Sequence, residues 1–234
     1  MKQLNLTKNG EQGSLTIRNQ TDTSADLLIF GTISDTKWFD DDVIPKDVKD
    51  LLDEVKDVKT LNIFINSGGG SVFAGMAIYN MLKRFKAQKT VYVEGLAASA
   101  ASVIAMVGDT LIIPANAFLM VHKAWTWTIG NADDMLKSAE TLETIDIGIL
   151  KVYEENLNDG VSIEDFKVLV EAETWLTGEQ AAEYFDVTVT EATEAAAYTG
   201  PLNYRNIPKG LKRETPKAKK QKQALARLKA QADL

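Results

Sequence analysis

Short apolar runs of strand length and longer apolar stripes at helical spacing alternate along most of this chain, and their order predicts an α/β domain. Residues 26–33, DLLIFGTI, read as a strand, with Gly31 marking its end or a bulge. The stretch DDVIPKDVKDLLDEVKDV then reads as a helix. Pro45 suits its first turn, and Val48, Leu51, Leu52 and Val55 fall on one face. TLNIFIN is a strand rich in β-branched and aromatic residues. It runs through SGGG into a helix, SVFAGMAIYNMLKRF. TVYVEG is a further strand, followed by a helix of small residues, LAASAASVIAM. TLIIP and AFLMVH are two more strands. Strand, glycine turn and helix thus recur in succession, the mark of crossover connections.

A long helix is predicted next, over 131–157. Asn131 is its expected N-cap, and Asp133 and Asp134 lie in the first turn, where the helix dipole favours acidic groups. Met135, Ala139, Leu142, Ile145, Ile149 and Val152 make an apolar stripe along it. Such a helix either lies on its own domain or holds a partner subunit. Short helical segments follow at 162–171 and 177–185. From Glu191 the pattern dissolves into a breaker-rich basic stretch. The expected organisation is therefore one domain over 1–190, with its ordered core at about 26–190, and a basic, flexible tail over 191–234.

Charge sharpens that division. Residues 201–234 carry ten Lys and Arg against two Asp and Glu, in a chain whose net charge is −7. An acidic body lacks the basic face that nucleic-acid binding needs. The chain has no cysteine, which excludes disulfides, thiolate metal sites and a cysteine nucleophile. The first residues show no apolar signal core, and no run approaches the roughly 18 apolar residues of a membrane span. A cytoplasmic protein without membrane contact, metal or cofactor is expected.

Candidate chemistry starts from the single histidine, His122, at the end of AFLMVH, where a strand leads into a loop. Ser99 and Ser102 compete as its partner. Ser99 falls in the first turn of the predicted small-residue helix, where free N–H groups stabilise an oxyanion, or it caps that helix. Ser102, one turn further in, suits packing or a bond back to the backbone. The glycines of INSGGGSVFAG let backbone N–H groups approach an anion. A phosphate loop is disfavoured, because Met76 stands where its lysine would be, and Phe73 breaks the dinucleotide pattern.

INSGGGSVFAGMAIYN, GLAASAASVIAM, FLMVHKAW and AETWLTGEQAAEYF occur in that order over residues 26–190. Together they resemble the ClpP-type serine peptidases, and more closely the ClpP-related head maturation (prohead) proteases of tailed bacteriophages. The resemblance implies a crotonase-like ββα spiral fold, with the long helix protruding for oligomerisation. It implies serine endopeptidase activity, ring-based homo-oligomers, and capsid or scaffold proteins as substrates. By position, Ser99 matches the nucleophile and His122 the general base. Gly69, Gly70 and Ala100 match the oxyanion hole. Ser71, Val72, Ala124 and Trp125 match the strands that clamp an extended substrate. Glu173 stands where ClpP has an aspartate as third triad member, with Asp165, Glu171 and Asp186 as substitutes. Gly68 stands where ClpP has a proline. An ATPase-fed ClpP-like subunit and a catalytically idle assembly protein of the same fold are the alternatives.

Overall fold

The computed structural model describes residues 15–192 and 204–208. Its elements in chain order are β1 (Leu15–Arg18), β2 (Ser24–Phe30), β3 (Thr32–Ile33), β4 (Asp42–Val43), α1 (Pro45–Glu54), β5 (Thr60–Ser67), α2 (Val72–Arg84), β6 (Gln88–Ala98), α3 (Ala100–Ala105), β7 (Thr110–Pro114), β8 (Phe118–Val121), α4 (Ala132–Glu154), α5 (Ile163–Glu171), β9 (Thr174–Thr177), α6 (Gly178–Ala182) and β10 (Val187–Thr190). These elements all lie within the compact unit that ends at Pro201. Of the tail, only Glu191, Ala192 and residues 204–208 are described, so the flexibility expected of it lies outside the described residues.

The main sheet runs β1-β2-β5-β6-β7-β10, parallel throughout except for the antiparallel β1–β2 pair. Leu61, Ile63 and Ile65 of β5 and Val91 and Val93 of β6 are fully buried on one face. Alternation leaves Phe64 and Tyr92 on the other face, where their rings stack at 4.8 Å. Helices are built where the apolar stripes predict them. Pro45 occupies the first turn of α1, and Val48 and Leu52 are its buried positions. Ser71 caps α2 by accepting from the Ala74 N–H.

The ordered body begins before the expected position 26, with β1, and β9 and β10 are strands beyond those predicted; two boundaries also differ in ways that bear on the site. Asp42–Val43 forms a short strand against β3 instead of opening a helix. More consequential is β6, which continues through Leu96, Ala97 and Ala98, so that α3 starts only at Ala100. Alanine is a strong helix former, but here ladder pairing outweighs propensity. The first half of β6 pairs with β7, and residues 96–98 pair with Phe118–Met120 of β8. β8 in turn pairs antiparallel with β9. The long strand therefore divides the sheet in two, and the β8–β9 layer leaves it just before Ser99.

α4 begins with a reciprocal capping box between Asn131 and Asp134. Its two halves have different surroundings. Met135 and Leu136 are exposed, whereas Ile149, Val152 and Tyr153 are buried against the body, Tyr153 beside Phe166 and Phe185. Among the described residues no helix is long and apolar enough to cross a membrane.

Candidate active site

Three strand ends meet at one place. In the parallel β6–β8 ladder Ala98 sits opposite Met120, so Ser99 leaves β6 level with Val121, one residue before His122. In the antiparallel β8–β9 ladder the last pair is Val121 with Thr174, so His122 leaves β8 at the end where Glu173 enters β9. Ser99, His122 and Glu173 thus form a row, although 23 and 51 residues separate them in the chain. The Ser99 N–H donates to the Met120 carbonyl at 2.9 Å and fixes the junction. Ser99 Oγ lies 2.7 Å from His122 Nε2.

The serine is held in an unusual conformation, φ +56° and ψ −126°. A residue with a Cβ adopts this at a cost of about 1–3 kcal/mol, which the surrounding pairing must over-determine. The strained turn places Ser99 ahead of α3 as its N-cap residue rather than inside a first turn, and its side chain makes no capping bond. The hydroxyl is left to the imidazole. Glu173 is also left-handed, at φ +54°, where the chain turns from α5 into β9.

Burial of His122 pushes its pKa below the usual 6.5, because a desolvated imidazolium is unfavourable. The charges of Glu173 and then Asp146 work against that. The result is a neutral imidazole at pH 7, with carboxylates placed to stabilise it once it takes a proton. A hydroxyl in this setting can pass its proton to Nε2 as its oxygen attacks an electrophile.

Gly69 and Gly70 pack tightly against this row. A Cβ on Gly69, whose φ is +82°, would lie 2.5 Å from the Ala98 carbonyl and 2.7 Å from Ser99 Cβ. The Gly69 N–H already donates to the buried Ser67 Oγ at 3.1 Å, so Gly69 provides shape and not a donor. The bridge between Ile33 and Gly70 uses the Gly69 carbonyl and the Ser71 N–H, which leaves the Gly70 N–H on the opposite side of that strand. Ala100 is the first residue of α3, so its N–H has no acceptor within the helix.

The expected clamp residues are partly committed elsewhere. The Ser71 N–H donates to the Ile33 carbonyl at 2.8 Å, and Val72 is the first residue of α2. The Ala124 N–H donates to Asp146 Oδ1 at 2.7 Å. Residues 122–129 run without regular pairing. Trp125 is exposed and meets Trp127 edge-on at 6.5 Å. The substitute carboxylates lie on the surface: Asp165 accepts from Ser162 at its own helix cap, Glu171 faces Lys167, and Asp186 is exposed. Asp146 is the residue that sequence reasoning passed over. Its signal in the sequence is an acidic side chain between Ile145 and Ile149, beside an otherwise apolar stripe.

The Clp protease family model matches residues 17–185. The chain belongs to the Clp protease family. It is accordingly a serine-type peptidase, a hydrolase. The ATP-dependent Clp protease proteolytic subunit of Streptococcus pneumoniae (strain Hungary19A-6) is 33% identical over 146 residues, 57% of this chain and 69% of that protein. The same subunit from strain CGSP14 gives the same figures. Among solved structures, a mutant of ClpP1 from Listeria monocytogenes superposes with a TM-score of 0.59. It covers 73% of this chain and 93% of its own, at 23% identity, and this likeness bears out the ClpP fold.

Proposed function

We propose that this Clp-family peptidase is the head maturation protease of a tailed bacteriophage, cleaving capsid or scaffold proteins within the precursor shell in the host cytoplasm. The observation that carries the peptidase chemistry is the 2.7 Å contact between Ser99 Oγ and His122 Nε2 at a strained turn. Ser99 attacks the scissile carbonyl while His122 takes its proton. Glu173, where the chain enters β9, holds the ring and stabilises the imidazolium. The N–H groups of Gly70 and Ala100 receive the oxyanion, with Gly69 shaping the approach. His122 then gives the proton to the leaving amine, and water releases the acyl group by the same route. Extended substrate runs between Gly70-Ser71-Val72 and Ala124-Trp125.

The phage assignment is supported by the wording GLAASAASVIAM and ETWLT, by Glu173 and Gly68 in place of aspartate and proline, and by the basic 191–234 tail beyond a 1–190 peptidase domain. Family membership and the exposed half of α4 support a ring-based homo-oligomer, in which the exposed Met135 and Leu136 meet a second copy. The name of the Streptococcus pneumoniae relatives favours a second reading, a proteolytic subunit fed by an ATPase.

Co-expression with the capsid and scaffold proteins of the phage that carries it separates the two. Head maturation requires shortened capsid or scaffold chains with the wild type and intact ones with Ser99→Ala. Intact chains with both enzymes, together with folded-protein degradation that starts only when an ATP-driven unfoldase is added, would establish the second reading instead.

A further inference from the structure

Asp146 projects from the seated half of α4 into the body and is only 6% exposed. Its Oδ1 accepts the Ala124 N–H at 2.7 Å, two residues past His122. Its Oδ2 lies 3.5 Å from Lys123 Nζ, a side chain half in solvent. A buried carboxylate with one short hydrogen bond and one long ion pair is costly to keep, so a plain packing role would be better served by an apolar residue.

We propose that Asp146 is a positioning residue for the reaction: it pins the segment after β8, which carries His122, to α4 and adds a second negative charge near the imidazole. This rests on reading Ser99 and His122 as nucleophile and base. Val121 is the last residue paired in the β8 ladder, and His122 follows it directly. Beyond Val121, residues 122–129 run without strand pairing, and the Asp146 bond to Ala124, with the Thr128–Ser138 hydroxyl contact at 3.0 Å further along, ties that stretch to α4. Seven residues on, the same face of α4 carries Tyr153, whose hydroxyl meets Ser102 Oγ at 2.7 Å, and Ser102 Oγ donates to the Ser99 carbonyl at 2.6 Å. One helix face therefore braces the histidine segment through Asp146 and the serine turn through Tyr153.

The charged groups around His122 divide by element. Glu173 precedes β9, Asp146 comes from α4, and Lys123 is its own neighbour, already paired with Asp146. Of the two carboxylates Glu173 has the larger influence on His122. Asp146 is committed to backbone and lysine, which makes it a positioner rather than a third triad member. Removing its charge leaves less to oppose desolvation, so the His122 pKa should fall further.

The test compares wild type, Asp146→Asn and Asp146→Ala as assembled full-length protein. The kcat and KM on a fluorogenic peptide are measured together with the titration of His122. Because it is the only histidine, a 13C label on its ring reports that titration without turnover. Asp146→Ala should lower kcat by about 10- to 100-fold with KM little changed, as expected for slight misplacement of a reacting group. Asp146→Asn keeps an acceptor for Ala124 and should lose less. In both, the His122 midpoint should move to lower pH. A wild-type kcat in Asp146→Ala, or a loss of rate with the midpoint unmoved, would overturn the proposal. If Asp146→Ala does not fold, the midpoint in Asp146→Asn decides alone. Activity surviving in Ser99→Ala would instead overturn the nucleophile assignment and leave the titration result standing.

Discussion

Ser99 and Ser102 stand one turn apart and have opposite surroundings. Ser99 is half-buried, sits at a left-handed turn and faces an imidazole. Ser102 is fully buried and closed between the Ser99 carbonyl and the Tyr153 hydroxyl. Burial also pushes the Tyr153 phenol well above its usual pKa, so that contact stays neutral at any working pH. The chemistry of a serine in this segment is set by what the strand ends bring to it. The front row, Ser99, His122 and Glu173, is assembled by ladder register. The back row, Ser102 and Tyr153, is assembled by helix packing.

The sharpest way to break this contrast is in the front row. Ser99→Ala and His122→Ala should each lower kcat on a peptide substrate by on the order of 10⁶, as in comparable triads. A Ser99→Ala enzyme within tenfold of wild type would remove the distinction between the serines. Glu173→Gln should cost less, about 10²- to 10⁴-fold, because in the proposed mechanism the residue orients the ring and transfers no proton. An unchanged rate would shift that role to another carboxylate. Gly69→Ala tests the packing that frames the row. The strain of a Cβ at φ +82° against Ala98 should displace the Ser99 turn and lower kcat by about 10²-fold.

The pH profile reads the same row without mutation. His122 must be neutral to act as base, and its burial lowers its pKa. The acid limb of kcat/KM should therefore lie below 6.5 and activity should persist into mildly acidic buffer. A limb above 6.5 would mean that the carboxylates outweigh burial. The smallest effect belongs to the back row. Tyr153→Phe removes one buried hydrogen bond and leaves Ser102 bonded to the Ser99 carbonyl. It should cost about 1 kcal/mol of stability, measured by denaturant melting, with most activity retained.

Much of this was readable from residue order, for identifiable reasons. Gly69 and Gly70 after an apolar strand, and a lone histidine at a strand end, are local patterns with local causes. The strand character of Leu96, Ala97 and Ala98 was not readable. A leucine and two alanines look helical until Phe118, Leu119 and Met120 pair with them. Asp146 was hidden for a similar reason: its acceptor role depends on Ala124, which only the fold brings to it. The commitments of the Ser71 and Ala124 N–H groups likewise depend on partners distant in sequence.

The contrast between the two serines is tested most directly by labelling the assembled wild-type protein with a fluorophosphonate and mapping the adduct by peptide mass spectrometry. The account predicts one adduct, on Ser99, lost in His122→Ala and retained in Tyr153→Phe. An adduct on Ser102, or full labelling of the His122→Ala protein, would contradict it.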